Sequence, residues 1–392
     1  MPTQTWLDGQ VERLLDQVRN CYLEARIVAS KKRLEALWDG KPYDGRVPYV
    51  IWGLPPGEVP ELPEGLPDNE RELLSQLVSI IAHSVWKDDY VPGLVPGIRQ
   101  VIIPAFFGCV EEFSSASLRV KPIIKHPKDV YELPEVGFGP GTPGGEMLEK
   151  MRYFREKTQG QLPIYEADLQ GPFSVASQIW GVEDFLMAVL DHPAEVHYLL
   201  QRTTDAIITY ARLMRDAVEG DWIPYHCMPA VWFPEEKGIA VSEDLMAVVS
   251  PKIFREYMRP YLEQLADIFG GVFVHSCGSI NHVVKELNEV RGLVGVNFSS
   301  VETDLRSLAK DARESMVLAV HQGPVNRTDL PLLTPLEHAR LCGEVFCCRG
   351  GGLCMLVPCT EELIPDVHAE AVEKALTCYE PRTENKFSEQ LG

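Results

Sequence analysis

The feature that most constrains this 392-residue chain is an alternation. Short apolar runs rich in β-branched and aromatic residues recur along it, and most are followed by a stretch with helical spacing. Eight runs fit a strand: residues 47–52 (VPYVIW), 101–104, 162–169 (LPIYEADL), 222–226 (WIPYH), 272–275, 293–298 (LVGVNF), 316–321 (MVLAVH) and 353–357 (LCMLV). Between them, residues 69–86, 183–218, 251–269, 281–290, 335–347 and 366–379 carry apolar residues at helical spacing. Ser250-Pro251 and Thr334-Pro335 mark helix starts, and His192-Pro193 divides the 183–218 stretch. Strand–helix alternation of this kind implies parallel βαβ units, and eight of them imply a (β/α)₈ TIM barrel. A doubly wound open sheet is the alternative, but no G-x-G-x-x-G follows an early strand.

A barrel of this type needs about 250 residues. The remainder predicts three regions: an N-terminal helical layer over 1–45, the barrel over 46–380, and a polar tail over 381–392. Within the barrel, a proline-rich loop covers 53–67. A long loop insertion follows the second strand, over 111–160, containing GFGPGTPGG and ending in a charged helix near 145–156.

Charge and cysteine usage narrow the partners. A net charge of −20 argues against nucleic-acid backbones and anionic membrane surfaces. No run approaches the roughly eighteen apolar residues that a spanning helix needs. The first residues show no basic and apolar signal pattern, and ten cysteines then fit a reducing, cytoplasmic setting.

The chemistry concentrates at GGVFVHSCGS, residues 270–279. Residues two apart on an extended chain point to the same side, so His275 and Cys277 can converge. Both are good zinc ligands; taken alone, the pair reads equally as a buried thiol beside a satisfied histidine. In a barrel, the residues just after each strand share one rim, where active sites of this fold lie. That rim collects Glu166 and Asp168, His226 and Cys227, His275 and Cys277, Asn297, His321 and Gln322, and Cys359. His275, Cys277 and Cys359 make a three-ligand set that leaves a fourth position for substrate, as catalytic zinc sites do. A structural Cys₄ site would show paired C-x-x-C, which the chain lacks.

The segments VHSCGSI, LMAVVSPKIFREYMRPYLEQL and QGPFSVASQIWG together resemble the uroporphyrinogen decarboxylase superfamily. Within it, H-x-C-G and a late cysteine after a glycine-rich eighth strand (GGGLCMLVPCT) resemble the zinc-dependent, cobalamin-linked methyltransferases. The likeness covers about residues 163–376. It implies a (β/α)₈ barrel with Zn²⁺ on His275, Cys277 and Cys359, moving a methyl group between a small-molecule donor or thiol and a corrinoid protein or free cobalamin. A homodimer is also compatible. The family places glycine before the late cysteine, where this chain has Pro358.

The resemblance also puts Glu243 and Asp244, in IAVSEDLMAV, near the site. Glu166, Asp168 and Glu243 are the candidate catalytic carboxylates; for Glu166 and Asp168 a solvated or strand-capping carboxylate is the plainer reading. Asn297, His321 and Gln322 are the candidates for substrate or corrinoid binding; His321 could instead support the metal ligands, and Asn297 could cap a turn. Glu302 and Asp304 are further candidate ligands. A metal-free decarboxylase is the alternative function, but the arginine-rich motif of those enzymes is replaced after the first strand by VIWGLPPGEVPEL.

Overall fold

A computed structural model describes residues 3–41, 46–55, 62–97, 101–113, 118–219, 222–224, 231–323, 330–358 and 373. In order, the elements are α1 (Gln4–Cys21), α2 (Glu24–Trp38), β1 (Tyr49–Trp52), α3 (Asp68–His83), α4 (Ile102–Phe106), β2 (Val110–Phe113), β3 (Leu118–Lys121), α5 (Pro143–Thr158), β4 (Ile164–Tyr165), α6 (Pro172–Trp180), α7 (Val182–Asp191), α8 (Pro193–Ala217), β5 (Trp222–Ile223) and β6 (Ile239–Ser242). They continue as α9 (Pro251–Ile253), a π-helical turn (Phe254–Met258), α10 (Arg259–Phe269), β7 (Val272–Ser276), α11 (Val284–Asn288), β8 (Leu293–Ser299), α12 (Leu305–Asp311), β9 (Val317–His321), α13 (Pro335–Arg349) and β10 (Leu353–Pro358).

This is the α/β architecture expected of a (β/α)₈ barrel. Six strands run in parallel in the order β1-β10-β9-β8-β7-β6. From β6 the path continues through an isolated parallel bridge between Ser242 and Gln170, just after β4. β4 itself pairs with β5 and is bridged to Leu94. The Asp89 amide then donates to the Tyr49 carbonyl in β1 at 2.9 Å.

Alternation along each strand sorts side chains into two cores. Tyr49, Ile51, Val241, Val272, Val274, Val296, Leu318, Val320, Met355 and Val357 join the larger core between strands and helices. Val50, Ala240, Phe273, Val317, Ala319, Cys354 and Leu356 form a second core inside the ring. The N-terminal helices serve both. α1 packs Leu7, Val11, Leu14 and Val18 into the outer core, together with Leu73, Leu74 and Leu77 of α3. α2 places Leu34, Leu37 and Trp38 in the inner one. Trp38 meets Phe233 and Phe273 edge-on, with centroids 4.5 and 5.5 Å away, and its Nε1 donates to the Trp232 carbonyl at 3.0 Å. Phe273 lies two residues before His275, so α2 plugs the amino-terminal end of the ring and leaves the carboxyl end for the site.

Two strand expectations are corrected. Residues 101–104 are not a strand: Ile102–Phe106 is helix α4, in which Pro104 falls within the first turn, where a missing N–H costs nothing. The position of the second strand is taken by the segment around Leu94. Of residues 222–226, the described 222–224 contribute the two-residue β5, and β6 at 239–242 is the neighbour of β7. Residues 225–226 lie outside the described residues, as do the expected last helix over 366–379 and the tail. The irregular insertion contains a short hairpin of β2 and β3 and helix α5, capped by Thr142.

Among the described residues, no single helix is long and apolar enough to cross a membrane. The bent pair α6–α7 passes by length and composition with a 107° break. Its Phe173, Val175, Ile179, Phe185 and Val189 are buried in the outer core.

Candidate metal centre

Strand register assembles the site. Ser242 pairs with His275, His275 with Asn297, and Asn297 with Ala319, so one layer crosses β6, β7, β8 and β9. Val274 and Val296 face the outer core, which turns His275 and Asn297 inward. After Ser276 the chain leaves the strand, and Gly278 lets it turn: a Cβ there would lie 2.4 Å from the Ala247 Cβ. Ala247 belongs to the 3-10 turn Asp244–Ala247 that follows β6. The same approach brings Asp244 Oδ1 to accept the Cys277 amide at 2.9 Å.

His275 Nε2 is 3.1 Å from Cys277 Sγ and 3.7 Å from Asp244 Oδ1. One ligand atom from each of the three residues lies within 4.8 Å of the others. Nitrogen, sulfur and oxygen donors at that spacing suit zinc. His275 is buried, and desolvation holds its pKa below the usual value, against the nearby Asp244 carboxylate and the hydrogen bond to Asn297. A neutral imidazole is the ligating form. Cys359 lies outside the described residues, so among those described Asp244 is the third donor.

Behind His275 sit two of the residues singled out for substrate. Asn297 Oδ1 is 2.6 Å from His275 Nδ1, and Asn297 Nδ2 is 2.7 Å from the Ala319 carbonyl and 3.2 Å from His321 Nδ1. The His275 and His321 rings are near parallel, 5.9 Å apart. Burial, with His275 and His338 adding to it, pulls the His321 pKa down to about 3. Gln322, also buried, donates through Nε2 to the Leu333 carbonyl.

The carboxylates separate into different surroundings. Asp168 is 1% exposed, and burial together with the like charge of Asp244 pushes its pKa up to about 7. Glu166 is fully buried, with Oε2 3.4 Å from the Ala240 amide. Glu243 turns away from the metal donors. Its Oε1 accepts from the Phe173 amide at 3.0 Å, and its Oε2 from the Ser174 amide and hydroxyl at 2.9 and 2.8 Å. It thereby caps α6, and Gly171 makes room: a Cβ there would lie 2.3 Å from Glu243 Oε1. Burial raises the Glu243 pKa to about 7 despite these donors. Asp304 caps α12 through Ser307, and Glu302 lies half-buried in the turn after β8. His226 and Cys227 lie outside the described residues.

The sequence offers Asp244 beside Glu243 and makes Glu243 the catalytic candidate; the structure gives Asp244 the place beside His275 and Cys277. Nothing in the spacing separates two adjacent acids; only the turn after β6 aims one at α6 and the other at His275.

Comparison with known proteins agrees with this architecture. The family model described as Uroporphyrinogen decarboxylase (URO-D) matches residues 101–219. The chain thus resembles the uroporphyrinogen decarboxylase superfamily. Within that group, the likeness is to methyltransferases. Methylcobamide:CoM methyltransferase MtaA of Methanosarcina barkeri is 28% identical over 142 residues, 36% of this chain. The chain spans 37% of the length of that curated relative. A solved methyltransferase from Methanosarcina mazei matches with a TM-score of 0.57 at 18% identity, covering 88% of this chain and 96% of that one, which speaks for a shared fold. Residues 244–277 lie beyond the segment matched by the family model, so the candidate metal cluster rests on its own geometry.

Proposed function

We propose that this chain is a zinc-dependent methyltransferase that moves a methyl group between a small molecule and a corrinoid, either protein-bound or free. The observation that carries this reading is the convergence of His275, Cys277 and Asp244 on one point at the carboxyl end of the strands. The similarity to a methylcobamide-dependent enzyme supports the choice of methyl acceptor or donor. His275 and Cys277 would hold the zinc, with Asp244 or Cys359 as third ligand. Bound there, zinc supplies Lewis acidity, favouring the thiolate of a thiol substrate or polarising the heteroatom of a methyl donor.

The chain's own residues prepare the site. The Cys277 amide fixes the Asp244 carboxylate, and the strand ends exclude water from His275. Asp168, inside the same mouth, is poised near neutrality to hold or release a proton beside the substrate. The end of the first strand and the stretch after it read VIWGLPPGEVPEL, without the arginines that would bind a polycarboxylate, which weighs against the decarboxylase alternative.

Elemental analysis and a methylcobalamin–thiol transfer assay test the proposal together. About one zinc per chain and thiol-dependent loss of the methylcobalamin spectrum are expected. His275→Ala and Cys277→Ala should lose both. Asp244→Ala and Cys359→Ala discriminate the third ligand, because only the true ligand's removal should release the metal. A zinc-free protein with no methyl transfer from any donor or thiol sinks the reading.

A further inference from the structure

We infer that Asn297 is a positioning residue that locks His275 and His321 into opposite tautomers, making His275 Nε2 a metal-facing lone pair and His321 a hydrogen-bond donor rather than a ligand. The inference rests on the proposed metal site for its consequence, but not for its geometry. It also reassigns Asn297 and His321, which the sequence offered as groups that touch substrate.

The Ala319 carbonyl can only accept a hydrogen bond, and an atom of the Asn297 amide lies 2.7 Å from it. That atom must be Nδ2, since an oxygen there would face another oxygen. The other end of the amide is then Oδ1, an acceptor, 2.6 Å from His275 Nδ1. His275 Nδ1 must therefore carry the proton. In the neutral ring this leaves Nε2 unprotonated, and Nε2 is the atom beside Cys277 Sγ and Asp244 Oδ1.

The second hydrogen of Nδ2 faces His321, two residues beyond Ala319 on β9. Its partner, His321 Nδ1 at 3.2 Å, has to accept, so the proton of that neutral ring resides on Nε2. One backbone carbonyl thus dictates the proton positions of two buried rings. Register makes this possible. Asn297 stands directly opposite both His275 and Ala319, and the small Ala319 side chain leaves its own carbonyl within reach. An aspartate at 297 could still accept from His275, but it could not donate to Ala319 or His321. A metal-bound histidine is commonly oriented by a group that accepts from its other ring nitrogen, and loss of such a partner typically costs roughly 10–100-fold in metal affinity.

The test is two-dimensional ¹⁵N–¹H NMR of the imidazoles in the full-length, metal-free chain at neutral pH. His275→Gln and His321→Gln assign the two rings by loss of signal. Nδ1–H for His275 and Nε2–H for His321 are expected; the reverse tautomer at either ring overturns the inference. Zinc titration supplies an independent reading. Asn297→Ala should weaken zinc binding roughly 10–100-fold and mix the His275 tautomers, whereas His321→Gln should bind zinc nearly as wild type does. Loss of zinc from His321→Gln as complete as from His275→Gln would make His321 a ligand and overturn the assignment. If wild-type protein binds no zinc, the proposed function fails while the wild-type spectrum still decides the tautomers.

Discussion

Glu243 and Asp244 are neighbours of like charge with unlike work. Glu243 satisfies three donors at the start of α6, and Asp244 accepts the Cys277 amide and lies beside His275. Asp244→Asn should keep the Cys277 hydrogen bond and the fold while lowering zinc affinity. Glu243→Gln should leave zinc binding nearly intact but replace an acceptor with an amino group facing buried N–H donors, at a cost of about 1–3 kcal/mol. Its pH dependence follows from the raised pKa. The folded Glu243 retains its proton up to about 7, whereas the unfolded group loses it near 4.5. The wild-type contribution is therefore complete below about 4.5 and is lost as pH rises through 7. Urea unfolding should show the stability gap between wild type and Glu243→Gln narrowing from pH 4 to pH 8. A gap that widened over that range would contradict the burial-driven shift.

At the scale of elements, sequence reasoning worked where local signals and tertiary packing agreed. The Ser250-Pro251 start is present, with Ser250 Oγ accepting the Ile253 amide at 3.3 Å. The Thr334 start is a full capping box with Glu337. The strands from β7 to β10 were legible because each is a mostly apolar run rich in β-branched and aromatic or aliphatic residues. The second strand was not, because little of it is a strand. Asp88 and Asp89 substitute side-chain carboxylates for a neighbour's carbonyls, accepting the Ile51 amide at 2.8 Å and the Tyr49 amide at 3.0 Å. Arg46 and Arg33 compensate the Asp89 charge, and His83 lies 3.5 Å from Asp88. No hydrophobic period announces a strand built from acids. Asp88→Ala should strand the buried Ile51 N–H and cost about 1–3 kcal/mol in chemical denaturation. An unchanged midpoint would show that β1 does not depend on this carboxylate.

At the scale of the molecule, the N-terminal helices are an integral plug. Trp38 closes the inner core two residues before His275 in depth, so the site stands on a packed floor. Trp38→Ala should destabilise the protein by roughly 3–5 kcal/mol, and looser packing under Phe273 should weaken zinc binding as well. A lowered melting temperature with unchanged zinc affinity would separate the floor from the site.

What the sequence alone determined follows from short-range rules. Period-two and helical spacing, proline and serine at helix starts, and a histidine and a cysteine two apart at a strand end are local facts, and they were enough to reach the architecture and to pair His275 with Cys277. Register and turn direction are not local. Only the folded chain sets Ser242 beside His275 and Asn297 beside Ala319, sends Asp244 toward His275 and Cys277 and Glu243 to α6, and replaces a strand with two buried aspartates. Those choices depend on which backbone groups meet across the barrel, a condition imposed by long-range pairing that no window along the sequence contains.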